Sequence, residues 1–463
     1  MIDAADGSLD YADLDTRSDR IAAALWQRGL RRGDRIALRL PNGAAYLLMY
    51  AAAAKIEAVV AGINSGLAQL EQERLIALAD AAVVIDAVDA VSELEAATGS
   101  MRLPELAPDP TRLVALVFTS GTTGTPRAAM FTERQLAAVT NAETDGTWAH
   151  HPGEPVLVAT HFAHVGPMTK LPWYLRRGLR LQAMPRWRAG DVLRVVAEQR
   201  LTAIGAIPPQ IALMLQTSEI DELDLSCLQR IIAGGAASTS ALIHQARAAF
   251  DCDYVVRYSS TESGGVGLGT DNLDEALTGI GRPRAGIGAQ IRDGDGIALP
   301  PGEVGELCLR TPTAMAGYWR DDDATAATLV GGWLRTGDLA VQNIDGTYTL
   351  KGRLKEMYIR GGYNVYPAEV EAALAGHPAV ASCAVVPRAD ATMGEVGVAI
   401  VTLDQRATTL SLTDVRTFLD GRIARWKQPE DFIILDELPF NGTHKVDRRA
   451  LAEMIARRAA PAR

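Results

Sequence analysis

Apolar residues recur along this chain in two alternating rhythms. Short runs at 35–40, 82–85, 113–118, 156–158, 203–207 and 230–233 have the length and β-branched content of strands, each stopped by glycine, proline or a polar turn. Between them lie stretches with helical spacing. The opening reads as strand, turn and amphipathic helix, with residues 10–14 leading into 20–30, where Ile21, Leu25 and several alanines repeat at helical intervals. The apolar stretch 43–54 is cut off by Lys55 and Glu57, too soon to span a bilayer, and is predicted to be a buried helix. Strands interleaved with helices to about residue 260 predict an α/β architecture with largely parallel sheets.

From about residue 280 the texture changes. Glycine, proline and aspartate crowd into 279–283, 293–296 and 300–302, and a short alternating run follows at 305–310, the pattern of an antiparallel, β-barrel-like subdomain. Beyond Gly352-Arg353 the pattern becomes α+β, with a helix near 368–374, strands at 382–386 and 396–403, and a helix over 412–425. The expected organisation is α/β. A large N-terminal domain, 1–353, holds two α/β subdomains plus the small β-barrel-like one, and a smaller α+β C-terminal domain, 354–463, follows. No internal repeat or low-complexity segment interrupts this order.

Composition narrows the classes. With 463 residues, 48% of them hydrophobic and 22% charged, the chain has ample material for a core and ordinary globular proportions. The net charge of −10 disfavours a general nucleic-acid binder. That charge is unevenly placed: residues 354–463 carry 14 Lys/Arg against 14 Asp/Glu, so the excess lies in 1–353. Cys227, Cys252, Cys308 and Cys383 have neither metal-ligand nor redox spacing and read as reduced thiols. Residues 1–10 are acidic and polar, unlike an export leader, so a cytoplasmic location and no transmembrane segment are expected.

Five segments carry candidate chemistry. Thr119-Ser120-Gly121-Thr122-Thr123-Gly124-Thr125-Pro126-Arg127 follows an apolar strand and offers five hydroxyls and two glycines, a composition suited either to a phosphate-binding loop or to a surface turn. It does not fit the Walker spacing. Arg257-Tyr258-Ser259-Ser260-Thr261-Glu262, preceded by Gly234-Gly235-Ala236, sets a stacking ring beside an acid able to hold Mg2+ against phosphate oxygens, or forms an ordinary turn. In Arg335-Thr336-Gly337-Asp338-Leu339 the acid can accept from ribose hydroxyls or cap its own turn. Lys351-Gly352-Arg353-Leu354-Lys355 leads into Arg360-Gly361-Gly362-Tyr363. Finally, Asn441-Gly442-Thr443-His444-Lys445 places one lysine in a Gly/Thr loop.

In this order and at this spacing the five segments resemble the adenylate-forming superfamily of acyl-CoA synthetases, luciferase-like enzymes and adenylation domains, over about residues 9–452. Relatives usually carry a few tens more N-terminal residues. The resemblance implies a mobile C-terminal domain and roles for matching positions. Thr119, Ser120, Gly121, Thr122, Thr123, Gly124 and Arg127 would hold the ATP β- and γ-phosphates, and Gly234, Gly235, Ala236 and Tyr258 would contact adenine. Thr261 would bond the α-phosphate, Glu262 would bind Mg2+, and Asp338, with Arg353 nearby, would bind the ribose. Lys445 would be the catalytic lysine and Lys355 the hinge. His164 would line the acyl pocket with Met168, Gly264 and Gly265, while Gly361 and Gly362 would border the CoA channel.

The resemblance therefore implies ATP-dependent activation of a carboxylic acid, a fatty acid among the candidates, to acyl-AMP and then transfer to CoA, with ATP, Mg2+ and CoA required. A homodimer is compatible with it. The alternatives are transfer to a separate carrier protein, including of aryl or polycyclic acids, and a non-catalytic ligand-binding relative. Four positions in three segments depart from the family pattern. Pro126-Arg127-Ala128 replaces Pro-Lys-Gly, Ser259 replaces a glycine, and His444 replaces the glycine before the lysine. His150, His151, His161 and His164 cluster in sequence, but no cysteine or paired acid accompanies them as a zinc set would require.

Overall fold

The computed structural model describes residues 2–97, 103, 105–119, 126–144, 153–404, 407, 409–440 and 446–459. The chain opens with a hairpin, Ile2–Ala4 and Gly7–Leu9, whose first strand pairs in parallel with the distant strand Arg180–Ala183. The first helix, Tyr11–Gln27, starts well before the run of helical spacing at 20–30, because the Asp10 carboxylate accepts from the Asp13 amide and caps it. The helix Ala44–Lys55 is apolar on all sides and is buried accordingly. Asp6 supplies its missing cap, accepting from the Ala44 and Ala45 amides at 2.8 and 2.9 Å.

Two α/β sheets frame the larger part. One runs Gly317–Tyr318, Arg127–Thr132, Leu113–Thr119, Val59–Gly62, Arg35–Leu38, Val83–Ile85 in space, parallel through its last four strands. The other has Ala203–Ala206, Arg230–Gly234 and Asp253–Tyr258 in parallel, then Leu268–Gly269 and Arg282–Pro283 antiparallel. The Gly/Pro-rich segment forms an antiparallel sheet of Gly288–Arg292, Val304–Arg310, Trp333–Gln342 and Leu329–Val330, with Tyr348–Arg353 also on Trp333–Gln342. It curls: the Tyr348 hydroxyl donates to the Ala289 carbonyl at 3.0 Å, tying its last strand to its first.

The smaller C-terminal domain is built on Gly394–Leu403, flanked by Val380–Asp390, Tyr358–Arg360 and Asp431–Ile434, with the helices Pro367–Leu374, Leu412–Leu419 and Arg448–Ala459. Its buried side chains form clusters of their own. The helix expected over 412–425 stops at Leu419, because the backbone becomes extended at Asp420, before Gly421 turns with a left-handed φ of 72°. Among the described residues no helix is long and apolar enough to cross a membrane.

Two close features of this frame are testable. Gly281 joins the second α/β sheet to the antiparallel one: its carbonyl accepts from the Tyr348 amide at 2.8 Å, its φ is 73°, and a Cβ there would lie 1.9 Å from the Gly269 carbonyl oxygen. Gly281→Ala should cost about 2 kcal/mol or more and lower the melting temperature by several degrees in differential scanning calorimetry. The second feature is the turn before His164. Asn42 holds it, donating to the Thr160 carbonyl at 2.9 Å and accepting from the Phe162 amide at 2.7 Å. His161 is enclosed there, and burial, followed by the nearby His164, pushes its pKa from 6.5 down to about 4, against a smaller pull from the Leu40 backbone. Between those two values the unfolded chain takes up a proton that the folded chain refuses. Stability should be insensitive to this group above pH 6.5 and fall as the pH drops from 6.5 to 4, by about 3 kcal/mol in all. Denaturant titrations of wild type and His161→Gln across that range should show a shallower fall in the variant.

Candidate active site

Three groups of side chains meet where the strands of both α/β sheets end. In the first sheet, Leu113–Thr119 and Arg127–Thr132 pair antiparallel with Thr119 opposite Arg127. The loop between them therefore springs from a fixed base. Ser120, Gly121, Thr122, Thr123 and Gly124 lie outside the described residues, as do His150 and His151. Arg127 donates from Nε to Asp321 Oδ2 at 3.1 Å, and its guanidinium carbon lies 5.3 Å from the centre of the Tyr318 ring. Tyr318 donates in turn to Glu262 Oε1 at 2.8 Å.

Glu262 is half-buried in the loop after strand Asp253–Tyr258. Backbone closure fixes that loop. The Ser260 and Ser263 side chains each accept from the other's amide, at 3.1 and 3.0 Å, and Thr313 donates to the Ser263 carbonyl at 2.7 Å. The Met315 amide bonds the Glu262 carbonyl at 2.8 Å. Gly264, at a φ of 72°, admits no side chain, since a Cβ would sit 2.5 Å from the Thr313 carbonyl. Thr261 is half-buried beside Glu262, and its carbonyl accepts from the Gly264 amide at 3.0 Å.

The second group centres on Asp338, which is 7% exposed. Its Oδ2 accepts from the Tyr258 hydroxyl at 2.6 Å, and its Oδ1 pairs with Arg353 Nε at 3.1 Å. Asp338 and Arg353 face each other across neighbouring antiparallel strands. The carboxylate thus bridges two sheets, which its sequence alternative, a cap on its own turn, would not do. Burial, with the Asp338 charge beside it, keeps the Tyr258 phenol protonated well above its ordinary range. Gly234 ends the neighbouring parallel strand opposite Arg257, and Gly235 turns out of it at a φ of 79°, leaving Ala236 exposed.

The third group lies around the helix Val165–Met168. His164 is its N-cap residue, and His164 Nε2 lies 3.1 Å from the Asn64 side-chain amide. Thr169 donates to the Gly264 carbonyl at 3.0 Å, and a Cβ on Gly265 would meet Val165 and Thr169 only at 3.6 and 3.8 Å. His164, Gly264 and Gly265 therefore share one region. Met168 differs from expectation: it is fully buried in the core of the first subdomain, because the one-turn helix turns Pro167 and Met168 inward and leaves Val165 beside Gly265.

Lys355 is exposed in a turn anchored by the Leu354 amide on the Gly337 carbonyl at 2.9 Å and the Glu356 amide on the Arg353 carbonyl at 3.0 Å. Gly361 and Gly362, with φ of 54° and 88°, make the exposed turn between strands Tyr358–Arg360 and Tyr363–Val365 of the C-terminal sheet. Lys445 and His444 lie outside the described residues, and the loop that carries them is closed at its base by an antiparallel bridge between Phe440 and Val446. Among the described residues no three His, Cys, Asp or Glu side chains form a metal-binding group. Tyr318 and Asp321 carry no signal in the sequence. They lie 56 residues from Glu262 and 194 from Arg127, respectively, with no local motif to mark them.

Comparison with known proteins bears on the family and the fold. Residues 1–319 match the family model described as AMP-binding enzyme, and residues 369–445 that of the AMP-binding enzyme C-terminal domain. The long-chain-fatty-acid–CoA ligase FadD13 of Mycobacterium tuberculosis is 31% identical over 97% of this chain and 94% of its own. The fatty acid–[acyl-carrier-protein] ligase ScoC of Streptomyces coeruleorubidus is 30% identical over 96% of this chain and 91% of its own. The ATP-bound crystal structure of MatB from Rhodopseudomonas palustris superposes with a TM-score of 0.88 at 26% identity, covering 98% of this chain and 95% of that one. With the matched regions spanning both parts of the fold, the chain belongs to the AMP-binding enzyme family of adenylate-forming acid–thiol ligases.

Proposed function

We propose that this chain is a cytoplasmic acyl-CoA synthetase that activates a carboxylic acid, with a fatty acid as the favoured class, through an acyl-adenylate. The observation that carries the nucleotide half of this reading is the Asp338 carboxylate, buried and fixed between Tyr258 and Arg353 at the strand ends. Held there, it is oriented to accept from the hydroxyls of a ribose, with Gly234, Gly235 and Ala236 beside the base. Thr119 and residues 120–124 take the outer phosphates through backbone amides and hydroxyls, and Thr261 the α-phosphate. The fatty-acid preference rests on the relatives, and His164, Gly264 and Gly265 line the acyl side.

Glu262 suits magnesium. Among the described residues it is bonded by a neutral tyrosine hydroxyl, and no ion pair spends its negative charge. A single carboxylate completed by phosphate oxygens is the coordination magnesium favours. When bound, the ion neutralises charge on the transferring phosphoryl group. In the first step a carboxylate oxygen attacks the α-phosphorus and the bond to pyrophosphate breaks. In the second the CoA sulfur bonds to the acyl carbon, the bond to the AMP oxygen breaks, and the thiol proton is lost. A carrier-protein thiol is the second reading of the acceptor, favoured by the likeness to ScoC.

Two chemistries in one site need two arrangements of the C-terminal domain, and we place the boundary at 353/354 with Lys355 as hinge. Lys445 serves the first arrangement, while Gly361 and Gly362, which lack side chains, leave room for a pantetheine arm in the second. A panel of carboxylic acids scored by pyrophosphate release, followed by CoA or phosphopantetheinylated carrier protein as acceptor, tests the assignment. No acid-dependent exchange of pyrophosphate into ATP would reject it. Lys445→Ala should lower adenylation by roughly a hundredfold or more yet still convert supplied acyl-AMP to thioester, which single-turnover assays separate. Lys355→Pro fixes φ near −65° and should retain acyl-AMP formation while losing most thioester formation. Equal slowing of both half-reactions would remove the hinge.

A further inference from the structure

The family position of Arg127 is that of a phosphate-binding lysine, but its contacts here run in another direction. Its Nε hydrogen-bonds Asp321 at 3.1 Å, and its guanidinium carbon is 5.3 Å from the Tyr318 ring centre, within cation–π range. The same tyrosine donates to Glu262 Oε1 at 2.8 Å. We propose that Arg127 and Tyr318 are positioning residues for the Glu262 carboxylate, with Asp321 as the anchor, and that Arg127 is not a phosphate ligand. This rests on the reading of Glu262 as the magnesium carboxylate.

Tyr318 and Asp321 belong to one stiff unit. Tyr318 pairs with Ala129, two residues along from Arg127, and its amide bonds Thr325 Oγ1 at 2.8 Å. Thr325 Oγ1 bonds the Asp321 carbonyl at 2.8 Å, and Asp321 caps the helix Asp322–Thr328 through the Ala324 amide at 3.0 Å. Gly317 can carry no side chain, because a Cβ would lie 2.8 Å from Thr325 Cγ2 at a φ of 149°. The ring and the anchor therefore stand at a set spacing, and the guanidinium spans them, lying within cation–π range of one and donating to the other. A lysine has neither the planar face nor the fork for this.

Charge placement points the same way. Asp321 takes up the charge of Arg127, so this arginine does not compete with a metal ion for Glu262. The tyrosine hydroxyl fixes one carboxylate oxygen without neutralising it. Outer contacts of this kind orient a ligating carboxylate, and their loss typically weakens metal affinity by about ten- to a hundredfold.

The test is isothermal titration calorimetry of ATP, first in EDTA and then in saturating MgCl2, on wild type, Tyr318→Phe, Arg127→Met, Arg127→Lys and Glu262→Gln. The readout is the factor by which magnesium tightens ATP. Tyr318→Phe and both Arg127 variants should keep EDTA affinity within about twofold and lose roughly tenfold of the magnesium gain. The Tyr318→Phe/Arg127→Met double variant should lose no more than the larger single loss, because the two act through one contact. A fall in EDTA affinity with Arg127→Met that Arg127→Lys restores would make Arg127 a phosphate ligand and overturn the proposal. An unchanged magnesium gain in Tyr318→Phe would overturn it as well. If Glu262→Gln itself keeps the full gain, the magnesium role of Glu262 fails, a result distinct from failure of the Arg127–Tyr318 support. Tyr318→Phe preserves the ring, so the test stands even if an Arg127 variant does not fold.

Discussion

The Asp338 carboxylate is buried between a tyrosine from the second α/β sheet and an arginine from the strand that ends the larger domain. A charge that far from water is tolerable only when its oxygens are hydrogen-bonded, and removing either partner leaves a group costing about 1–3 kcal/mol. That requirement ties Tyr258, Asp338 and Arg353 to a common geometry, although they lie on three strands of two sheets. Arg353 immediately precedes the turn at Lys355, so the same interaction also fixes the chain where it leaves for the C-terminal domain.

Around that carboxylate, the site is held by backbone closure more than by side-chain bulk. Gly264, Gly267 and Gly281 each bring a carbonyl to within 2.5 Å of where a Cβ would stand. Such contacts let loops from different strands lie against one another, and they explain why small residues gather at the strand ends. Several cations near the site are paired with acids: Arg127 with Asp321, Arg353 with Asp338, and Arg284 and Lys170 together with the half-buried Glu143. Among the described residues Glu262 is bonded instead by a tyrosine hydroxyl, which leaves its charge available for the magnesium role proposed above.

The smaller domain is stabilised independently, through two apolar clusters on opposite faces of its sheet. Arg448 draws its parts together, pairing with Glu356 at 3.3 Å and Glu371 at 2.8 Å while donating to the Val385 carbonyl at 2.9 Å. It lies three residues after Lys445, so the same contacts set the far end of the lysine loop. For the rearrangement proposed above, a domain with its own core and no net charge keeps that core intact and does not work against a large field of its own.

The sequence by itself determined the order of elements, the change to antiparallel sheet near residue 280, a buried helix within the apolar stretch 43–54, and the motifs that single out Glu262 and Asp338 as candidates. These follow from local periodicity, turn chemistry and short motifs, which act over a few residues and are therefore readable in one dimension. Boundaries were less legible: the first helix begins at Tyr11 because of a capping contact, and the helix expected over 412–425 ends at Leu419. Only the tertiary structure decided that Asp338 bridges Tyr258 and Arg353 rather than capping its turn, that Met168 belongs to the core while Val165 faces Gly265, and that Arg127 is committed to Asp321 and Tyr318. Each of those outcomes depends on side chains brought together from strands tens to hundreds of residues apart, and no local pattern records which distant group will fill a side chain's last hydrogen bond.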